Sequence, residues 1–98
     1  MIKRATDVVN TDGVHLGWMI FCPACKCGHR FEKGRWTFDG NYESPTFAPS
    51  MLVWWDEGPG RVLRRCHSFV RNGRIEFLGD CLHDMKGTTV ELPPMSEA

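Results

Sequence analysis

Short alternating runs of apolar and polar residues, separated by glycine and proline, dominate this chain. Residues 14–21 alternate and predict a β-strand that places Val14, Leu16, Trp18 and Ile20 on one face. No segment repeats apolar residues at the helical period over three turns, so long helices are not expected. The other predicted elements are short strands over residues 34–38, 51–55 and 88–92, an extended segment over 44–50 and one helical turn over 80–87.

The clearest local element is a hairpin around Asn72-Gly73, a dipeptide that favours a two-residue turn between strands. Its two strands are residues 62–70 and 74–79. This turn fixes the pairing, which places Cys66 opposite Gly79 on the apolar face and turns His67 to the other face. Cys81 becomes the diagonal neighbour of Cys66 if the second strand continues beyond Gly79.

Composition indicates one globular domain. The 98 residues are 42% hydrophobic with a formal net charge of zero, which gives no sign of a nucleic-acid or membrane partner. No apolar run is long enough to span a membrane and no signal peptide is apparent, so a cytoplasmic protein is expected. We expect a single zinc-stabilised β domain over residues 1–98, with residues 1–12 and 93–98 loosely ordered.

Five cysteines stand beside four histidines. An odd number of cysteines without a secretion signal makes a disulfide framework the weaker interpretation. Cys22-Pro23-Ala24-Cys25 is a CxxC motif, whose spacing lets one turn aim two thiolates at one ion. A redox pair would require a helix starting at the motif, and the residues after Cys25 are poor helix formers. Zinc is therefore the favoured interpretation.

The remaining ligands must come from the distal part of the chain. We predict a Zn²⁺ site formed by Cys22, Cys25 and Cys66, with Cys81 slightly preferred over His83 as the fourth ligand. The predicted fold is thus mainly β, a small antiparallel sheet of five or six short strands with little helix, stapled by zinc.

Two other potential metal ligands, Cys27 and His29, are assigned roles that do not involve a metal. Cys27 is interpreted as a small buried thiol, the commonest role of a lone cysteine. His29 is an alternative ligand, but a histidine beside Arg30 in a polar turn is expected to be exposed. The possibility that these two residues hold a second ion stays open.

His67 is a candidate for a catalytic or metal-binding role. On the outer hairpin face its diagonal neighbour is Asp80, so the two residues are candidates for an acid–base pair or, with His83 or His29, for an open metal site. No nucleophile stands at a recognisable spacing from them. The favoured interpretation is therefore structural, with Asp80 capping a turn and His67 packing on Phe69.

The outer face of the hairpin also carries Arg65, Arg71 and Arg74, a pattern compatible with nucleic acid but equally with a solvated strand face. Of Trp54 and Trp55, one must face outward from its strand, where it would anchor an interface.

Several motifs together resemble a family of small phage and prophage proteins of unassigned function. They are Cys22-Pro23-Ala24-Cys25, Pro45-Thr46-Phe47-Ala48-Pro49-Ser50, Cys66-His67-Ser68-Phe69-Val70 and Asp80-Cys81-Leu82-His83. The resemblance spans roughly residues 18 to 92 and implies a zinc-binding accessory protein. Members often carry an automatic "ammonia monooxygenase" label, but thiolate ligands suit a closed zinc site and not an oxygenase.

The function expected from these observations is a macromolecular interaction module of the host-takeover or counter-defence type. It would present a tryptophan and the arginine face to a host or phage protein and perform no chemistry. The alternatives are a metal-dependent hydrolase using His67, Asp80 and His83, and a nucleic-acid-binding zinc module.

Overall fold

The computed structural model describes residues 2–57 and 62–95 of the chain. They form eight β-strands: β1 Thr6–Val9, β2 His15–Cys22, β3 Cys27–Glu32, β4 Thr37–Phe38, β5 Phe47–Glu57, β6 Val62–Arg71, β7 Arg74–Phe77 and β8 Thr89–Glu91. No α-helix occurs in these two ranges, so the predicted mainly β fold is confirmed. It follows that no described helix is long and apolar enough to cross a membrane.

The strands form two antiparallel sheets, where the sequence predicted one sheet of five or six strands. The first sheet has the order β1-β2-β3 and the second the order β4-β5-β6-β7-β8. Two of the strands lie where none was expected. β1 lies within the terminal segment expected to be loosely ordered, and β3 begins at Cys27, where the sequence suggested a polar turn.

The hairpin around Asn72-Gly73 has the predicted register. Val70 pairs with Ile75 and Arg71 with Arg74, and both turn residues have positive φ angles of 51° and 76°. This is the conformation that asparagine and glycine tolerate in a two-residue hairpin turn. However, β7 ends at Phe77, and the segment up to β8 consists of turns and bends instead of the predicted helical turn.

A stack of phenylalanine rings joins the two sheets. Phe31 from β3 lies parallel to Phe47 from β5 with 4.1 Å between ring centroids, and Phe38 packs against Phe47 at 4.8 Å. Phe31 and Phe47 are almost fully buried. Because aromatic rings bury large apolar areas, this stack fixes β5 firmly against the first sheet.

Candidate active site and metal centre

A large bulge in β5 sets the position of Ser50. Phe47 pairs with Val70 and Met51 pairs with Ser68, so three residues of β5 lie opposite one residue of β6. The segment predicted to be extended over 44–50 and the strand predicted over 51–55 therefore meet in one long, irregular strand. Bulges of this kind re-aim side chains and recur beside active sites.

Ser50 meets His67 across this irregular part of the sheet. The Ser50 Oγ atom lies 3.2 Å from His67 Nε2. Trp36 stabilises the position of the Ser50 backbone, because its indole N–H donates a hydrogen bond to the Ser50 carbonyl at 3.3 Å. A hydroxyl within hydrogen-bond reach of an imidazole is the arrangement that activates a serine nucleophile.

Asp80 completes the arrangement on the far side of the imidazole ring. Both carboxylate oxygens of Asp80 lie 3.1 Å from His67 Nδ1. The pKa of Asp80 is lowered, chiefly because His67 hydrogen-bonds to its carboxylate. With Nδ1–H donated to the carboxylate, Nε2 is the ring nitrogen free to accept the proton of Ser50.

Cys81 holds the backbone of His67 on the side of β6 that faces away from β5. The His67 backbone N–H donates to Cys81 Sγ at 3.2 Å, and the Cys81 thiol donates to the His67 carbonyl at 3.1 Å. Asp80 precedes Cys81 directly, so two consecutive residues hold the ring and the backbone of the same histidine.

Three cysteines and one histidine form a separate group where the two sheets meet. Cys22 ends β2, Cys25 lies in the turn to β3, His29 lies in β3 and Cys66 lies in β6. Their potential ligand atoms all lie within 4.8 Å of one another, so this group can bind a metal ion such as zinc. Cys22 Sγ and Cys66 Sγ are 3.9 Å apart. This matches the separation of about 3.8 Å expected for two sulfurs on one tetrahedral zinc.

Hydrogen bonds among the three thiols of this group shift their pKa values. The pKa of Cys22 is lowered, because first the Cys25 thiol and then the Cys66 thiol hydrogen-bond to it. The Cys25 pKa is raised to about 12 and the Cys66 pKa is also raised, in each case chiefly by the hydrogen bond to Cys22. A bound metal ion would stabilise all three thiols in the thiolate form.

The His29 side chain gives independent support for a metal. It is 4% exposed, and its buried Nε2 atom has no hydrogen-bond partner among the described residues. A buried polar atom without a partner costs free energy unless a ligand or water satisfies it. Its burial contradicts the sequence-based expectation of an exposed histidine. The reason is that β3 forms and pairs His29 with Ile20, which turns the ring inward.

The two residues predicted as alternative fourth ligands, Cys81 and His83, form a different group with Cys66. The potential ligand atoms of these three residues also lie within 4.8 Å of one another. The Cys81 thiol is engaged with the His67 backbone, as described above. His83 Nδ1 accepts a hydrogen bond from the Met85 backbone N–H. Neither residue belongs to the group that contains Cys22, Cys25 and His29.

The other residues singled out in the sequence lie outside both groups. Cys27 is exposed, contrary to the buried thiol expected, because it begins β3 at the edge of the first sheet. Trp54 is 68% exposed, and the side chain of Trp55 lies outside the described part of the structure. Arg71 lies over the Phe69 ring at 4.0 Å, and Arg65 lies 3.8 Å from the Asp80 carboxylate.

Comparison with protein families supplies a match over most of the chain. Residues 2–78 match the model of a family described as the bacterial ubiquitination-like system serine protease, BubE. The chain belongs to the BubE family. Ser50 and His67 fall inside the matched range, and Asp80 lies two residues beyond it. No curated protein and no solved structure matches the chain.

Membership of the BubE family corrects four expectations from the sequence. The resemblance to phage and prophage proteins was wrong, because the matching family is that of a bacterial serine protease. The interaction module without chemistry was wrong for the same reason, and so were the metal-dependent hydrolase and the nucleic-acid-binding module. The expected proximity of His67 and Asp80 is present as a contact of 3.1 Å, and the His67 ring also contacts Ser50.

Ser50 was missed because nothing in its immediate sequence marks it as a nucleophile. It follows Pro49 at the end of the motif Pro45-Thr46-Phe47-Ala48-Pro49-Ser50. One signal was present: a strand interrupted by prolines runs directly before the hairpin that carries His67. Proline within a strand indicates a bulge or an edge, and a bulge presents a side chain irregularly.

Proposed function

We propose that this BubE family member is a serine protease with Ser50 as nucleophile, His67 as general base and Asp80 as the residue that orients the imidazole. The observation that supports this most directly is the continuous chain of contacts from Ser50 Oγ to His67 Nε2, and from His67 Nδ1 to both oxygens of Asp80. Such a constellation is recognised by its geometry and not by its order or spacing in the sequence.

The reaction follows from these contacts. Ser50 Oγ attacks the carbonyl carbon of a peptide bond while His67 Nε2 takes the hydroxyl proton. The C–N bond then breaks, the amine leaves with that proton, and the acyl group remains on Ser50. A water molecule attacks the ester with His67 again as the base, which releases the acid and restores the serine. Asp80 stays ionised throughout and stabilises the imidazolium.

The substrate we infer is a protein of the bacterial ubiquitination-like system named in the family description. A protease in such a system meets polypeptide bonds to a ubiquitin-like protein, either in a precursor or in a conjugate. Ser50, His67 and Asp80 lie on an accessible surface, since the side chains of His67 and Asp80 are 25% and 47% exposed. An accessible triad suits a substrate of protein size.

We also propose that the group of three cysteines and His29 binds zinc, and that this zinc has a structural role. Cys22, Cys25 and Cys66 are the proposed ligands, as the sequence predicted. His29 is the proposed fourth ligand, in place of Cys81 or His83, because it belongs to the same compact group as Cys22 and Cys25. The buried Nε2 atoms of His29 and His83 both lack a hydrogen-bond partner among the described residues, so group membership decides between them. Four protein ligands give a closed site, which is typical of structural zinc.

A fluorophosphonate probe tests the protease assignment without knowledge of the substrate. The probe phosphonylates an activated serine, because the serine oxygen bonds to phosphorus and fluoride leaves, so intact-mass analysis of the wild-type chain should show one adduct, mapped to Ser50 by peptide sequencing. Ser50→Ala and His67→Ala should abolish the adduct. Ser44→Ala, which removes a half-buried serine elsewhere in the fold, should label like the wild type. Equal labelling of Ser50→Ala would refute the proposed nucleophile.

A further inference from the structure

One long edge of β5 has no neighbouring strand close to Ser50. β4 pairs with β5 only at Phe47 and Ala48, whereas β6 pairs with β5 from Met51 to Glu57. Beyond Ser50, one side of β5 is therefore unpaired within the described residues. An unpaired strand edge offers a row of backbone donors and acceptors to another chain.

The contacts of His67 reveal which backbone groups of β5 lie on this edge. Its N–H donates to Cys81 Sγ, and its carbonyl accepts from the Leu78 N–H at 2.9 Å, so both groups point away from β5. Leu52 is the partner of His67 in the register. The pair is thus of the non-hydrogen-bonded kind, and the N–H and C=O of Leu52 point outward to the free edge.

Trp54 has the same orientation for the same reason. Its register partner is Arg65, whose carbonyl accepts a hydrogen bond from the Leu82 N–H at 2.8 Å and so points away from β5. The N–H and C=O of Trp54 therefore also lie on the free edge. Leu52 and Trp54 together present two donors and two acceptors there, and no hydrogen bond from a described residue reaches them.

The side chains of these two residues form an exposed apolar surface on the face of the triad. Leu52 is 52% exposed and Trp54 is 68% exposed. Leu52 stands opposite His67 in the register, so these two side chains project from the same face of the sheet. The Ser50 side chain lies on that face as well, because it contacts the His67 ring. Alternate residues of a strand are about 6.6 Å apart, which is also the spacing of alternate side chains in an extended substrate.

We propose that the polypeptide cleaved by Ser50 binds as an additional β-strand along the free edge of β5. Its backbone pairs with the N–H and C=O groups of Leu52 and Trp54, and apolar side chains at alternate positions pack on these two side chains. This mode of recognition combines affinity from main-chain hydrogen bonds with specificity from alternate side chains. The inference rests on the proposed protease function, because Ser50 defines where the added strand is cut.

Hydrogen–deuterium exchange of the Ser50→Ala variant tests the binding mode apart from catalysis. The probe is β-casein, an extended polypeptide that the inactive variant can bind without cutting. We expect exchange over Met51–Glu57 to slow at least several-fold with β-casein, while exchange over the edge strand β3 stays unchanged. Unchanged exchange over Met51–Glu57, or slowing confined to another strand, would overturn the proposal.

Two substitutions at Trp54 separate the backbone contact from the side-chain contact. Trp54→Ala removes the ring but keeps the N–H, whereas Trp54→Pro also removes the N–H, at an edge position where proline is tolerated. We expect Trp54→Ala to raise the KM for β-casein about ten-fold and Trp54→Pro to raise it further by a similar factor. Val14→Ala, which truncates an exposed apolar residue that lies outside β5, should leave cleavage unchanged. Equal KM values for all variants would contradict the proposal.

The two proposals fail in different ways. If Ser50 is not the nucleophile, Ser50→Ala still reacts with fluorophosphonate, whatever the exchange pattern shows. If the edge of β5 does not hold the substrate, Ser50 labels normally but β-casein leaves exchange over Met51–Glu57 unchanged.

Discussion

Cys81 and His67 contact each other through three atoms: the Cys81 sulfur lies 3.2 Å from the backbone nitrogen of His67 and 3.1 Å from its backbone oxygen. The thiol therefore serves as the acceptor for the His67 N–H, where a longer β7 would have offered a backbone carbonyl, while the Leu78 N–H donates to the His67 carbonyl. Cys66, a proposed metal ligand, directly precedes His67 in β6. The proposed catalytic base is therefore adjacent in sequence to a proposed metal ligand, and its backbone is hydrogen-bonded to a buried thiol.

Replacement of Cys81 should affect the triad and not the metal. In Cys81→Ala the His67 N–H loses its acceptor, which costs about 1 to 3 kcal/mol, whereas the His67 carbonyl keeps the Leu78 N–H as its donor. We expect a lower melting temperature and fluorophosphonate labelling slowed about ten-fold, with bound zinc unchanged by elemental analysis. Cys66→Ala, by comparison, should lose the metal. A folded Cys81→Ala protein without zinc would show that Cys81 is a ligand after all.

Loss of the Asp80 carboxylate should reduce catalysis without unfolding the chain. Asp80→Asn no longer stabilises the imidazolium that forms on His67, and amide substitution at the acid of a serine triad lowers kcat by about 10⁴. We expect a fall of about 10³-fold or more in β-casein cleavage with a nearly unchanged melting temperature, because Asp80 is half-exposed. The matched control is Asp84→Asn, an exposed acid four residues further along. Equal losses in both variants would argue against Asp80 as the triad acid.

Removal of the metal should abolish cooperative folding. A structural zinc site contributes roughly 10 kcal/mol to folding, which is comparable to the whole stability of a small domain. We expect about one zinc per chain, and a broad, early unfolding transition by circular dichroism after treatment with a strong chelator. His29→Ala should behave like the stripped protein, whereas Cys27→Ser, at an exposed cysteine outside the group, should retain metal. An unchanged melt of zinc-free protein would disprove the structural role.

The Tyr42–Asp7 hydrogen bond gives a pH-dependent prediction that concerns the fold alone. Tyr42 donates its hydroxyl to Asp7 at 2.6 Å, and this bond is the main reason that the pKa of Asp7 is lowered. A lowered carboxyl pKa stabilises the fold above the unfolded value of about 3.9, and this contribution is lost as pH falls through the folded value.

Tyr42→Phe should therefore destabilise the protein more at neutral pH than at acid pH. Because the Asp7 side chain is half-exposed, we expect a loss of about 0.5 to 1 kcal/mol at pH 7, measured by urea unfolding. The loss should shrink as pH falls below about 4. In an Asp7→Asn background the substitution should cost less. A loss independent of pH would show that the phenol contributes through packing and not through the charged bond.

Local patterns predicted the hairpin and its two faces correctly. The Asn72-Gly73 turn set the register, and that register alone placed Cys66 inward and His67 outward, as the structure confirms. The predicted strand over 14–21 is β2 displaced by one residue. These features depend on residues close in sequence, so alternation and turn chemistry were sufficient to predict them.

Ser50 and His29 could not be assigned in this way. Ser50 meets His67 because the bulge places two extra residues in β5, and proline signals such a bulge without defining its size. His29 turns inward because Cys27–Glu32 pairs with β2, although the segment begins with residues that resemble a turn. In both cases the outcome depended on pairing between strands.

The sequence by itself determined that the chain is a small β domain, that thiols from two distant segments are candidate metal ligands, and that His67 and Asp80 share one face. Only the tertiary structure decided which serine reaches His67 and which histidine joins the thiols. The physical reason is that side-chain direction along a strand repeats every two residues and is encoded locally. Contacts across strands depend instead on register, bulges and sheet packing, which the whole chain decides together.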